Sequence, residues 1–301
     1  MTNKKPILLV GDNPFHGISH LSQEHSRNRN TEIKNVEYAS DLVIKSLENG
    51  AGGFMFTVSD TTLSILKEMK KKRRDSQLEL YAIVPYASEY VRLATQLGGI
   101  MGIAKKIGKE MITSLNFGAI ARSIKGISLL DVEDLMKAYL LYEMSKIKSA
   151  VGKQTNLVSV ILHEIITEMA LALDWDWLFK AYIDFVSKHG IKPGFETRNF
   201  AFFVKKFKTW DMDCRKILVT TPFNKIGFQM NPSKLECEKA LNMVSDFEII
   251  AMSVLAAGYL KPAEAIKYVK SLPNISGVVL GVSREKHARE SFKLLRAAFE
   301  T

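Results

Sequence analysis

Cysteine is nearly absent from this 301-residue chain: Cys214 and Cys237 are the only two, too few and wrongly spaced for a disulfide framework or a metal knuckle. A reducing, cytoplasmic setting is therefore expected. Long uncharged runs are missing as well. No 20-residue stretch is free of charge, which excludes a transmembrane helix on length. Met1 to Pro6 is a short Lys-bearing stub that enters a strand without the apolar region of a secretory signal, so export is not expected. Basic segments interleaved with aromatics are also absent, and specific nucleic-acid binding is not expected. The densest basic run, Lys70 to Arg74, follows a helical pattern ending at Met69, where cations favour the helix dipole.

What the chain does have is excess positive charge and enough apolar sequence for a large core. A net charge of +10 favours an anionic partner, by raising its local concentration. With 47% hydrophobic residues, the full length suits one barrel of roughly 250 residues plus an insertion. Residues 1–301 are thus read as a single domain. Eight apolar runs carry this reading: Ile7 to Gly11, Gly53 to Val58, Leu80 to Val84, Leu157 to Leu162, Gly194 to Glu196, Ile217 to Thr221, Ile249 to Met252 and Val278 to Gly281. All but the third lead through a short loop into a helical pattern, which predicts an α/β fold, a (β/α)₈ TIM barrel. Such a barrel gathers its functional groups at the C-terminal strand ends.

Two segments exceed what a barrel needs. Ser88 to Gly152 is longer than one return helix. Its first part, 88–126, is glycine-rich and reads as a helical insertion that forms a lid, an oligomer interface or an in-plane membrane contact, and Asp131 to Ile147 reads as the true return helix. Homo-oligomerisation would run through 88–126. The loop Phe15 to Lys34 leaves the top of strand one, carries His16, His20 and His25, and should cover the mouth.

The strand ends hold the candidate chemistry. In Gly11-Asp12-Asn13-Pro14-Phe15-His16, Asp12 suits a base or metal ligand, Asn13 a substrate hydrogen bond, and His16 proton transfer near neutral pH. The same string also fits a plain Asx turn. Strand four ends in His163-Glu164, of which alternation lets only one face straight inward; His163 shares its face with Ser159 and Ile161. It would be catalytic, or would only hydrogen-bond neighbouring strands. Strand five ends in Glu196-Thr197-Arg198-Asn199. Glu196 beside His163 would suffice for acid–base catalysis or for two ligands of a divalent metal, unless Glu196 merely pairs with Arg198 or Arg284. Arg198, Asn199 and Asn224 are candidate substrate contacts. After strand eight, Gly281 would let a ligand approach the backbone, Ser283 would cap the last helix, and Arg284 would add charge for a phosphate at the helix N-terminus.

The stretch Phe247 to Leu260, with its apolar strand ending in Ser253-Val254-Leu255 and a Gly258-bearing turn, resembles strand seven of the aldo-keto reductases. Gly281 to His287 is similar to that family's dinucleotide-phosphate segment, and Leu162-His163 to its strand-four histidine. The resemblance spans Leu157 to Ala298 and implies a barrel with an NAD(P) phosphate site at Gly281, Ser283 and Arg284. It also implies a proton-donating tyrosine after strand two and a lysine after strand three. Here those strands end in Thr57-Val58-Ser59-Asp60-Thr61-Thr62 and Val84-Pro85-Tyr86, without either residue.

The primary expectation is an enzyme for a small anionic or phosphorylated metabolite, with His163, Glu196, Asp12 and His16 in acid–base roles: a lyase, isomerase or hydrolase. One alternative is a divergent NAD(P)-dependent oxidoreductase of aldo-keto reductase type. Another is a non-catalytic barrel whose insertion binds a partner or membrane.

Overall fold

Alternation within the strands sorts their side chains between two cores. One inward set, Leu9, Met55, Tyr81, Ile83, Ile161, Leu218 and Ile250, fills the barrel. The residues between them, such as Val10, Phe54, Leu80, Val160, Phe195, Val219 and Ala251, pack outward beneath the helices. Each strand is therefore apolar on both faces, as a parallel sheet covered by helices requires. The computed structural model describes residues 6–16, 35–73, 78–85, 131–152 and 156–299.

Strands β1 (Ile7–Gly11), β2 (Gly53–Thr57), β3 (Glu79–Val84), β4 (Asn156–Leu162), β5 (Lys192–Glu196), β6 (Leu218–Pro222), β7 (Glu248–Met252) and β8 (Ile275–Gly281) pair in sequence order and close into a barrel. All are parallel; Gly11 of β1 meets Gly281 of β8 to complete the ring. Each of the eight apolar runs overlaps one of these strands. The helices α1 (Val36–Glu48), α2 (Asp60–Lys72), α3 (Val132–Val151), α4 (Glu164–Ala172), α5 (Asp176–Lys188), α6 (Phe200–Thr209), α7 (Lys234–Asn242), α8 (Pro262–Ser271) and α9 (Glu285–Phe299) surround it.

Capping chemistry sets several helix starts. Asn35 Oδ1 accepts the Glu37 N–H at 2.8 Å at the head of α1, and Ser59 and Thr62 form a reciprocal capping box on α2. Asp131 caps α3, the expected return helix, and Pro262 opens α8 in the first turn. The last helix differs from expectation. It begins at Glu285, and the Ala288 N–H donates to the Arg284 carbonyl at 3.0 Å. Arg284, not Ser283, therefore holds the N-cap position. Lys70 to Lys72 of the basic run lie in the last turn of α2, where Lys71 pairs with Glu68 at 2.8 Å and Lys72 with Asp41 at 2.6 Å.

Two features hold the wall that carries β4 and β5. Phe195 stacks on Phe179 at 4.7 Å and meets Phe203 and Phe207 at 5.7 and 5.8 Å; each such contact contributes about 0.5–1.5 kcal/mol beyond burial. Tyr182 of α5 donates its hydroxyl to the Val160 carbonyl at 2.6 Å. With Phe195 fixed outward, its neighbour Glu196 turns into the barrel. The opposite, N-terminal opening carries its own polar contacts: Lys192 with Glu248 at 2.6 Å, and Tyr81 with Glu79 at 3.2 Å. That end of a TIM barrel serves stability.

The insertion 88–126, Tyr86, and the loop residues 17–34 with His20 and His25 lie outside the described residues. Among the described residues no helix is long and apolar enough to cross a membrane.

Candidate functional site at the barrel mouth

The C-terminal rim brings together side chains far apart in sequence. Beyond β1 the chain makes a short 3-10 turn, Asn13–His16. Just before it, the buried Asp12 accepts the Thr57 N–H at 2.7 Å and contacts His16 Nε2 at 3.1 Å, both through Oδ2. The Phe15 N–H donates to the Asp12 carbonyl at 2.8 Å, and the Phe15 ring is buried. Asp12 and His16 thus form a pair on the β1–β2 side, while Asn13 stands exposed.

Across the barrel, His163 continues the inward alternation of β4, and its N–H donates to the Val84 carbonyl at 2.7 Å. It is also the N-cap of α4, its Nδ1 accepting the Ile165 N–H at 3.2 Å. An imidazole that accepts at Nδ1 carries its proton on Nε2. Burial, followed by the charge of Arg198, lowers the His163 pKa to about 4. The ring is neutral at physiological pH.

Glu196 ends β5 and accepts the Glu164 N–H at 3.3 Å. Burial, then the charges of Glu164 and, more weakly, Asp12, raise its pKa to about 8, against the opposing hydrogen bond from Glu164 and charge of Arg198. The effect of Asp12 on Glu196 places carboxylates from β1 and β5 in one electrostatic neighbourhood. At pH 7 Glu196 is mainly a neutral carboxylic acid. Arg198 pairs through Nε with Glu164 Oε2, so the anticipated ion pair of Arg198 goes to Glu164 rather than Glu196.

The loops around this wall are heavily braced. Glu168 Oε1 accepts from Thr197 Oγ1 at 2.6 Å, Arg198 N–H at 2.9 Å and Asn199 N–H at 3.1 Å. Asn199 caps α6 by accepting the Phe202 N–H at 3.3 Å. The amide of Asn224 bonds both backbone groups of Phe228, at 2.7 and 2.8 Å. The described amide contacts of Asn199 and Asn224 are therefore to backbone, while Arg198 remains half-buried at the rim. A carboxylate needed to hold a loop, as Glu168 is, has no signature in a linear pattern.

Thr220 was hidden by parity. The apolar run predicts a sixth strand ending at Thr221, whereas β6 extends to Pro222, and Thr220 pairs in register with Glu196 on one side and inward Ile250 on the other. Its buried Oγ1 has no hydrogen-bond partner among the described residues. The alternation of Leu218 with Thr220 was the available signal. Thr221 lies on the outer face.

At β8, a side-chain carbon on Gly281 would come within 2.9 Å of the Pro14 ring. The missing side chain makes room for the β1 turn. Beyond it, α9 begins at Glu285, flanked by exposed Arg284 and Lys286. Glu285 in that first turn is drawn to Lys45 at 3.2 Å. This donor set, cationic side chains on a helix N-terminus, suits phosphate oxygens. Metal ligation by Asp12, His16, His163 and Glu196 does not fit: among the described residues no three His, Cys, Asp or Glu side chains gather as metal ligands.

The closed ring defines a (β/α)₈ barrel with an acid-lined C-terminal rim, and the chain resembles the aldo-keto reductases in fold. Two structures of a provisionally assigned aldo-keto reductase from Pseudomonas aeruginosa align with TM-scores of 0.59 and 0.58, at 11% and 10% identity. They cover 98% of this chain and 90% and 91% of theirs. An aldo-keto reductase from Bacillus halodurans, in its holo form, aligns with a TM-score of 0.54 at 8% identity, covering 98% of this chain and 91% of its own. No family model and no curated protein matches the sequence.

Proposed function

We propose that this chain is a divergent nicotinamide-dependent oxidoreductase that reduces a carbonyl compound, with Glu196 as proton donor. The observation that carries the reading is a carboxyl group held protonated at neutral pH inside the mouth, its pKa raised to about 8, within a fold that follows aldo-keto reductases along nearly the whole chain. A proton donor matched to the working pH is what carbonyl reduction needs as negative charge grows on oxygen. The fold comparison lends nothing to the lyase, isomerase or hydrolase expectation, and we rank it below.

The family's tyrosine has no counterpart on the described rim. Tyr81 faces the barrel interior beside Glu79 at the N-terminal end, and Asp60, the acid after β2, is exposed at the start of α2. In their place Glu196 donates its proton to the carbonyl oxygen and becomes a carboxylate. Arg198 stabilises that charge. His163, protonated on Nε2, holds the carbonyl by donating a hydrogen bond. Arg284, Lys286 and the N-terminus of α9 would take the phosphates of the dinucleotide, opposite the β4–β5 wall in the ring. A reduced nicotinamide, when bound, supplies hydride.

Calorimetric titration with NADPH and NADH tests the reading. Saturable binding, weakened about tenfold or more by Arg284→Ala, is expected, together with coenzyme oxidation in the presence of aldehydes or ketones. Absence of binding by either coenzyme would dismiss it.

A further inference from the structure

Helix α4 has no polar outer face. Its exposed residues are Ile165, Met169 and Ala172, while Thr167, Ala170 and Leu171 are buried on the opposite side. Both of its acids are drawn to the loop after β5: Glu164 pairs with Arg198, and Glu168 accepts from Thr197, Arg198 and Asn199. The apolar stripe runs from Ile165 and Met169 through Leu173, the C-cap, to Trp177 in the first turn of α5, and these four side chains belong to residues 39–53% exposed. Val132 and Leu135, at the head of α3, are exposed as well. A helix apolar on all sides is normally covered. The exposed start of α9, by contrast, carries Glu285, Lys286, Arg289 and Glu290.

Charge and connectivity name the cover. Residues 131–135 and 164–177 hold seven Asp and Glu and no Lys or Arg; four cations from elsewhere, Lys137, Lys180, Arg198 and Lys206, pair with them, which leaves the face acidic. An identical face or an anionic membrane would meet like charge there. The 88–126 segment has the opposite make-up, with six Lys and Arg against two Asp and Glu among many Leu, Ile and Met. The described chain stops at Pro85, beyond β3, and resumes at Asp131, the cap of α3. Since the His163 N–H of the β4 end donates to the Val84 carbonyl of β3 at 2.7 Å, and α3 runs back to the start of β4 from the same rim, both ends of that stretch flank α4.

We propose that residues 88–126 dock on the outer face of α4 in their own chain, covering Ile165, Met169, Leu173 and Trp177. Apolar contact supplies the affinity, the acids select a basic segment, and attachment at both ends raises the effective concentration. The inference stands apart from the reductase reading: it gives the insertion a place on the outside of the β4 wall and holds whatever the reaction.

Hydrogen exchange on the full chain, read by mass spectrometry, tests the docking. Amides within 88–126 should be protected in the parent chain, and Met169→Lys should speed their exchange by about tenfold or more while the barrel strands keep their protection. Met169→Leu should retain the protection, and Leu235→Lys, a like change at an exposed site on α7, should alter nothing in 88–126. Leu173→Lys replaces Met169→Lys if that variant loses strand protection. Exchange of 88–126 at free-chain rates in the parent, unchanged exchange in a folded α4 variant, or equal release by Leu235→Lys would overturn the proposal. A parent dimer in analytical ultracentrifugation that Met169→Lys splits into monomers would give the face to a second copy, and shielding of α4 only on phosphatidylserine vesicles would give it to a membrane. Either result overturns docking within one chain.

Discussion

The Asp12 carboxylate ties β1 to β2, accepting the Thr57 N–H at 2.7 Å from a buried position. The same oxygen meets His16 at 3.1 Å, so one atom both closes the sheet at its rim and sets the orientation of a candidate catalytic histidine.

Removing that acceptor leaves a buried N–H without a partner. Asp12→Ala is expected to destabilise the protein by about 1–3 kcal/mol, and Asp12→Asn by less, since an amide oxygen still accepts. Urea denaturation of both variants checks this. Equal stability of Asp12→Ala and the parent chain would remove the bracing role.

Glu196 and His163 predict opposite pH behaviour. The Glu196 pKa is raised from 4.5 to about 8, so between those values the folded chain keeps a proton that the unfolded chain loses. Its contribution to stability therefore declines as pH rises across that window and is flat above it. The His163 pKa is lowered from 6.5 to about 4, so its contribution is lost as pH falls from 6.5 toward 4. Glu196→Gln should remove the first slope only, seen as a difference in urea midpoints across pH. Carbonyl reduction should fall above pH of about 8, and Glu196→Gln should lower kcat/KM by about 100-fold or more. A pH profile unchanged in that variant would assign the proton to another group.

The glycines of β8 differ in tolerance. A side-chain carbon on Gly277 would lie 2.2 Å from the Ile7 carbonyl oxygen and 2.6 Å from Ile7 Cβ, whereas on Gly281 it would meet the Pro14 ring at 2.9 Å. Backbone in a closed ring has little room to retreat. Gly281→Ala should cost about 1–3 kcal/mol and Gly277→Ala more, by thermal or urea unfolding. The reverse order would show that β1 moves more freely than its pairing with β8 suggests.

Much of the architecture was legible in the chain itself. Apolar runs of strand length, separated by amphipathic segments, leave few ways to bury both faces of each strand, and a covered parallel barrel is one. The positions of Asp12, His163, Glu196 and Arg284 at strand ends followed from that pattern, because loops at one rim of a ring must converge. The start of α9 did not: Ser283 is a favoured capping residue, yet the helix begins at Glu285 and the Arg284 carbonyl accepts its first-turn hydrogen bond. Partner choice was equally invisible. Sequence adjacency pointed Arg198 to Glu196, and only the placement of α4 against β5 gave it to Glu164. The neutral state of His163 and the protonation of Glu196 come from burial and from charges contributed by other strands, and the inward placement of Thr220 came from register. Local sequence settles which way a side chain alternates; desolvation and pairing are sums over neighbours that only the closed ring assembles.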